Sequence, residues 1–166
     1  MSDSEPEWAT EDEIREQQRI ILTETKELDE SPTPDVVRQL VLNNPYYRRV
    51  FFTTATTQQA AMSIMDDIGL ERHDFVTQYF LVYQGFGVYE FSTADEAPTT
   101  RRQMDSVEVT EGSAWVVQPG TWHNVSRINK QVPFKLLTIY FHPHHKRGTI
   151  HINKDDAMSR GEAMQE

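Results

Sequence analysis

Glu71, His73, Gln78 and His123 are the residues in this chain whose types and spacing suit metal chemistry. They lie in two short segments, Gly69-Leu70-Glu71-Arg72-His73-Asp74-Phe75-Val76-Thr77-Gln78 and Gln118-Pro119-Gly120-Thr121-Trp122-His123-Asn124-Val125. Together they offer one carboxylate, two imidazoles and one amide oxygen, a donor set for one divalent metal ion. Two histidines with a carboxylate serve non-haem Fe(II), and the same donors also hold Mn, Ni, Co or Zn. Glu71 and His73 are two residues apart, so in a strand both side chains share a face. Gln78 comes five residues later, across a turn, and an amide oxygen makes it the weakest donor of the four. His123 follows a Pro-Gly turn far along the chain and must be brought in by tertiary structure. An ion held this way would act as a Lewis acid on the hydroxyl, carbonyl or phosphate oxygens of a small-molecule ligand or substrate, or would take O2.

The elements that must position these residues read as short strands. Arg49–Thr57, Gln58–Met65, Gln78–Tyr83, Phe86–Phe91, Ser106–Thr110, Ser113–Gln118, Trp122–Asn129 and Phe134–Phe141 are rich in Val, Phe, Tyr and Thr and punctuated by Gly or Pro. No segment of crossover-helix length separates them, so an all-β barrel or sandwich is expected rather than a parallel α/β sheet. Before them, residues 1–42 read as an acidic extension. Residues 1–9 have a disorder-like composition. Thr10 and Glu13 have capping-box spacing, which predicts a helix from about Glu11 to Leu28. Ser31-Pro32-Thr33-Pro34 reads as a stiff linker and Asp35–Leu42 as a short helix. The barrel is expected over 43–152, with a charged tail, helical or frayed, over 153–166.

Composition bounds the function classes. The 166 residues carry a net charge of −10 and contain no cysteine. Residues 1–35 hold twelve Asp and Glu against three Lys and Arg, so almost all the excess lies in the extension. The acidic balance argues against nucleic-acid binding. Disulfides, thiolate zinc sites and cysteine nucleophiles are excluded. No apolar run approaches the roughly 20 residues of a membrane span, and the N-terminus has neither a secretory nor a transit-peptide pattern. A cytoplasmic protein is the expectation that follows.

The two segments resemble the cupin superfamily. Its first motif reads Gly-x5-His-x-His-x4-Glu-x6-Gly. His73, Gln78 and Gly85 stand at the second His, the Glu and the closing Gly, with Glu71 at the first His and Met65 at the opening Gly. Its second motif reads Gly-x5-Pro-x-Gly-x2-His-x3-Asn. Gly112, Gly120 and His123 match it, while Gln118 and Arg127 replace the Pro and the Asn. Asn44-Pro45-Tyr46-Tyr47-Arg48-Arg49, Gly120-Thr121-Trp122-His123-Asn124-Val125 and Leu137-Thr138-Ile139-Tyr140, running on to His151, look like the single-domain mannose-6-phosphate-isomerase-like cupins. The likeness covers about residues 43–156. It implies a jelly-roll barrel (a double-stranded β-helix), an ion held by Glu71, His73, Gln78 and His123, and a homodimer paired through barrel edges.

Other features read more plainly. His142, His144 and His145, with His151, read as a surface turn after the last strand rather than a second metal site or proton relay. Tyr79, Phe80, Tyr83, Phe86, Tyr89 and Phe91 read as core, and Trp122 should point away from His123. Arg101 and Arg102 read as a solvated loop rather than a phosphate clamp. No catalytic residue is assigned. Two functions remain: a metal-dependent enzyme, isomerase-like or dioxygenase-like, or a non-catalytic small-ligand sensor or interaction subunit docked through its N-terminal arm.

Overall fold

The computed structural model describes Thr10 and residues 25–159. Two antiparallel sheets make the molecule. In chain order the strands are β1 Arg48–Thr53, β2 Gln58–Ser63, β3 Thr77–Gln84, β4 Phe86–Ser92, β5 Asp105–Thr110, β6 Ala114–Val117, β7 Trp122–Arg127, β8 Lys135–Phe141 and β9 Ile150–His151. The first sheet runs β6-β3-β8-β2-β1-β9 and the second β5-β4-β7. Their inner faces enclose one core. Met62, Phe80, Val82, Val117 and Leu136 from the larger sheet meet Tyr89, Val109 and Val125 from the smaller. This is an all-β barrel of two sheets, in line with the strand pattern and with the resemblance to cupins. The alternation of β3 shows how the sequence sets it up: Gln78, Phe80 and Val82 are buried while their neighbours are partly exposed.

Two helices complete the described chain. Helix α1, Pro34–Leu42, starts where Pro34 supplies a preset φ and the Thr33 hydroxyl accepts from the Val36 amide. Its Val37 and Val41 cover the outer face of the large sheet, against Phe51, Ala61 and Leu137. Helix α2, Lys154–Ser159, packs through the buried Ala157 into the main core. Arg101–Gln103 forms one 3-10 turn in the β4–β5 loop, and Arg101 approaches Glu90 at 3.5 Å with its side chain largely in solvent.

The helix expected over Glu11–Leu28 falls mostly outside the described residues. Its described end, Thr25–Leu28, is not helical. Here the chain is drawn onto the barrel instead. The Leu28 amide donates to the Phe51 carbonyl, the Thr25 amide donates to the Gly148 carbonyl, and Leu28 joins the α1 cluster. Strand-edge hydrogen bonds and apolar burial outweigh a weak local helix preference there.

The β3–β4 hairpin turns at Gly85, where φ is +95° and an added Cβ would lie 2.3 Å from the Pro133 carbonyl oxygen. Glycine alone accommodates both demands. This turn sets the register that carries Gln78 and Phe80 inward.

Candidate metal centre

The segment carrying Glu71 and His73 is not a strand, contrary to the alternation argument. Only Glu71 makes a β-bridge, with His123, and the chain bends at Asp74 and Phe75. The bridge is what joins the two segments. The Glu71 amide donates to the His123 carbonyl at 3.0 Å, and the His123 amide returns the bond to Glu71 at 2.9 Å. The Gly120 amide donates to the His73 carbonyl at 2.8 Å. Backbone pairing therefore fixes Glu71, His73 and His123 together before any side-chain contact is made.

The side chains converge accordingly. One ligand atom from each of Glu71, His73 and His123 lies within 4.8 Å of the others. Glu71 Oε1 is 3.3 Å from His73 Nε2 and 3.3 Å from His123 Nε2. His123 is fully buried, and its Nδ1 faces the Thr121 carbonyl at 2.9 Å. An Nδ1–H donating there leaves the Nε2 lone pair turned to the cluster, the orienting bond that metal-binding histidines characteristically make. His123 Nε2 has no partner of hydrogen-bond geometry among the described residues, despite its proximity to Glu71. Two imidazoles and a carboxylate gathered this closely are a donor set that fits a divalent metal.

Gln78 sits on the inward face of β3. Its amide nitrogen donates to the Thr138 hydroxyl at 2.8 Å, and its buried Oε1 has no hydrogen-bond partner among the described residues. A buried carbonyl left without a donor is costly. Nearby, Phe80 packs 6.5 Å from the His123 ring. Trp122 turns the other way, lying under the Arg72 guanidinium at 5.7 Å and reaching the Asp95 carbonyl.

Burial alone would raise the Glu71 pKa, but the adjacent His123 and His73 rings outweigh it and hold the carboxyl far below its ordinary value. Glu71 is thus an anion at all ordinary pH, as a metal ligand must be.

Of the histidines after β8, His142 is exposed as a surface turn would have it, but His144 and His145 turn inward, which corrects the expectation for those two. His144 lies edge-on to His73 with ring centroids 4.7 Å apart, and His145 packs between Tyr140 and His151. Burial, then the neighbouring His73 and Arg48, pushes His144 down to about 3, so its ring is neutral. Burial likewise drives His145 well below its ordinary value. Arg48, also deeply buried, places Nη1 3.2 Å from His151 Nδ1. The sequence signal for this layer was the His-Pro-His-His run at 142–145. Its inward turn depends on Gln58, a β2 residue that no motif marks.

A pocket of about 540 Å³ is lined by Tyr89, Phe91, Thr93, Pro119, Gly120 and Thr121 among others, and by none of the four candidate donors. Phe91 is paired with His123 across β4 and β7. A second pocket, of about 200 Å³, lies beside α2 between Tyr47, Asp67 and Lys154, away from these donors.

No family model matches the chain. It is 36% identical over 135 residues to the uncharacterized protein YrkC of Bacillus subtilis (strain 168), covering 79% of this chain and 69% of that protein. The chain belongs to the YrkC family. Another relative is the uncharacterized protein L612 of Acanthamoeba polyphaga mimivirus, 31% identical over 127 residues, or 75% of this chain and 74% of L612. The crystal structure of BH2720 from Bacillus halodurans superposes with a TM-score of 0.71 at 30% identity, covering 81% of this chain and 99% of BH2720. More remote structural neighbours of this YrkC-family chain include cupin and double-stranded β-helix proteins, a likeness of fold alone.

Proposed function

We propose that the protein is a metal-dependent enzyme acting on a small molecule, with one divalent ion held by Glu71, His73 and His123 and approached by Gln78. The observation that carries this reading is the convergence of three ligand atoms within 4.8 Å, from two segments about fifty residues apart. A bound ion would supply Lewis acidity and, as Fe(II), the reducing power that dioxygen chemistry needs. The chain's own residues supply the rest. The Thr121 carbonyl orients the His123 imidazole and the Gly120 amide holds the His73 backbone, while Gly120 and Thr121 also line a pocket in which Tyr89 stacks on Phe91 at 5.0 Å, an aromatic wall for a substrate. Of the isomerase-like and dioxygenase-like alternatives, the second is favoured. Isomerisation needs a free general base, whereas Glu71 stands 3.3 Å from both imidazole nitrogens and is committed to the ion.

Metal analysis of protein purified without a His tag tests the proposal. About one ion per chain is expected, falling to near zero in His73→Ala and His123→Ala. Wild-type protein without stoichiometric metal would refute it and turn attention to a non-catalytic sensor or interaction subunit.

We also infer a homodimer. The β5 edge carries no further strand among the described residues, and Val107 on β5 is half exposed. Pairing of two copies there would cover an edge that otherwise invites aggregation. Sedimentation velocity should give a dimer for the wild type and a monomer for Val107→Lys.

A further inference from the structure

His144 belongs to no motif that marks the metal site, yet it stands against one of the ligands. Its ring meets His73 edge-on at 4.7 Å and also contacts Tyr140 and His145, at 5.2 Å and 4.9 Å. Its Nε2 is buried and has no hydrogen-bond partner among the described residues. Buried polar nitrogens are nearly always satisfied, so an orphan of this kind calls for a missing partner. His144 is not itself in the group of three residues whose ligand atoms lie within 4.8 Å of one another. It packs against one member of that group without belonging to it.

Its placement is built, not incidental. The fully buried Gln58 accepts from the His144 amide at 3.0 Å and from the His145 amide at 2.8 Å through one oxygen. Its amide nitrogen donates to the His145 carbonyl at 2.7 Å and to the Thr53 hydroxyl at 3.1 Å. A single side chain on β2 thus spends all its hydrogen-bonding capacity holding the 144–145 backbone against the barrel. Rigid support from outside the first layer is how a functional side chain is kept within reach of its target.

We propose that His144 is a ligand-binding residue of this centre: its Nε2–H donates to the small anion or oxygen donor that takes the ion's open position, with Gln58 as the positioning residue. The proposal rests on the metal-site reading above. It names the occupant's chemistry as a compact hydrogen-bond acceptor, such as a carboxylate oxygen or a deprotonated hydroxyl.

The experiment uses the full chain loaded with Co(II), with azide as the probe, followed by visible absorbance. His144→Phe and His144→Ala remove the donor, and His144→Gln keeps an amide N–H near the place of Nε2. Wild type and all three variants should bind about one Co(II) each. The azide Kd should rise about tenfold in the Phe and Ala variants, equal to about 1.4 kcal/mol. In the Gln variant it should stay within about threefold of wild type, as expected of one restored hydrogen bond. Unchanged azide affinity in Phe and Ala variants that retain cobalt would overturn the proposal, as would a Gln variant no better than Ala. Loss of cobalt from the Phe and Ala variants would also overturn it, by making His144 a metal ligand. Should the Phe variant fail to fold, the Ala and Gln pair decides. A wild type that takes up cobalt but not azide sinks this proposal alone, whereas one that takes up no cobalt sinks the metal reading and this with it.

Discussion

At the residue scale the centre is defined by which polar atoms have been left without protein partners. Gln78 Oε1 and His123 Nε2 are both buried and lack hydrogen bonds among the described residues, while the atoms on their other side are well anchored, at Thr138 and Thr121. Gln78→Glu tests this arrangement. It puts a carboxylate in the buried position of Gln78, so the chelator-treated protein should lose about 3 kcal/mol, as uncompensated buried charges do. Metal should restore that loss and bind more tightly than in wild type, so melting curves with and without metal should diverge further than those of the parent. Acid should also weaken the metal-free protein. An unfolded His144 takes up a proton near the ordinary value of 6.5, whereas the folded one resists until about 3. The folded pKa is depressed, so the stabilisation is complete above about pH 6.5 and drains away as pH falls towards 3, by at most about 1.4 kcal/mol per unit. Buried His145 acts in the same direction. Urea midpoints at pH 7.5, 6 and 5 should fall in that order.

At the element scale the barrel depends on a few places where local sequence and long-range contact agree. Gly85 is the sharpest. Its positive φ closes the β3–β4 hairpin, and the Pro133 carbonyl occupies the space a side chain would need. Gly85→Ala should cost at least about 2 kcal/mol in a denaturant titration, from backbone strain plus the clash. The strands were legible because their alternation is clean. β3, β4, β7 and β8 fall within a residue or two of where the turn signals and aromatic runs placed them. Helix α1 was legible as Asp35–Leu42, although the sequence pattern assigns its cap Thr33 and first residue Pro34 to the linker. The segment from Ile68 to His73 was not. It looked like a strand, but it pairs with β7 at only scattered points, through Ile68, Glu71 and the Asp67 bridge to Ser126. A two-residue period says which side chains can share a face. It does not say whether a neighbouring backbone lies close enough to complete a ladder.

At the scale of the whole molecule, the described end of the N-terminal extension is part of the barrel. Glu27 accepts from the Thr53 hydroxyl at 2.7 Å and from the Gly148 amide at 3.0 Å, and Leu28 packs under α1. Gly148 belongs to the same loop as His144 and His145, so the strap and the inner histidine layer share a support. Glu27→Ala should lower the melting temperature, for a loss of about 1–3 kcal/mol through two hydrogen bonds to a charged acceptor. Metal stoichiometry should stay near wild type, because no ligand touches the strap. A matched metal analysis and calorimetric scan would show both.

The amino-acid order fixed the fold class and named Glu71, His73, Gln78 and His123, because strand periodicity, turn residues and ligand types are local properties that a linear reading can register. It did not reveal that Gln58 draws His144 against His73, nor that Thr25–Leu28 abandons helix for the barrel edge. Those outcomes turn on contacts between residues 86 or more than a hundred positions apart. The balance of burial and hydrogen bonding that decides them exists only once the sheets have closed.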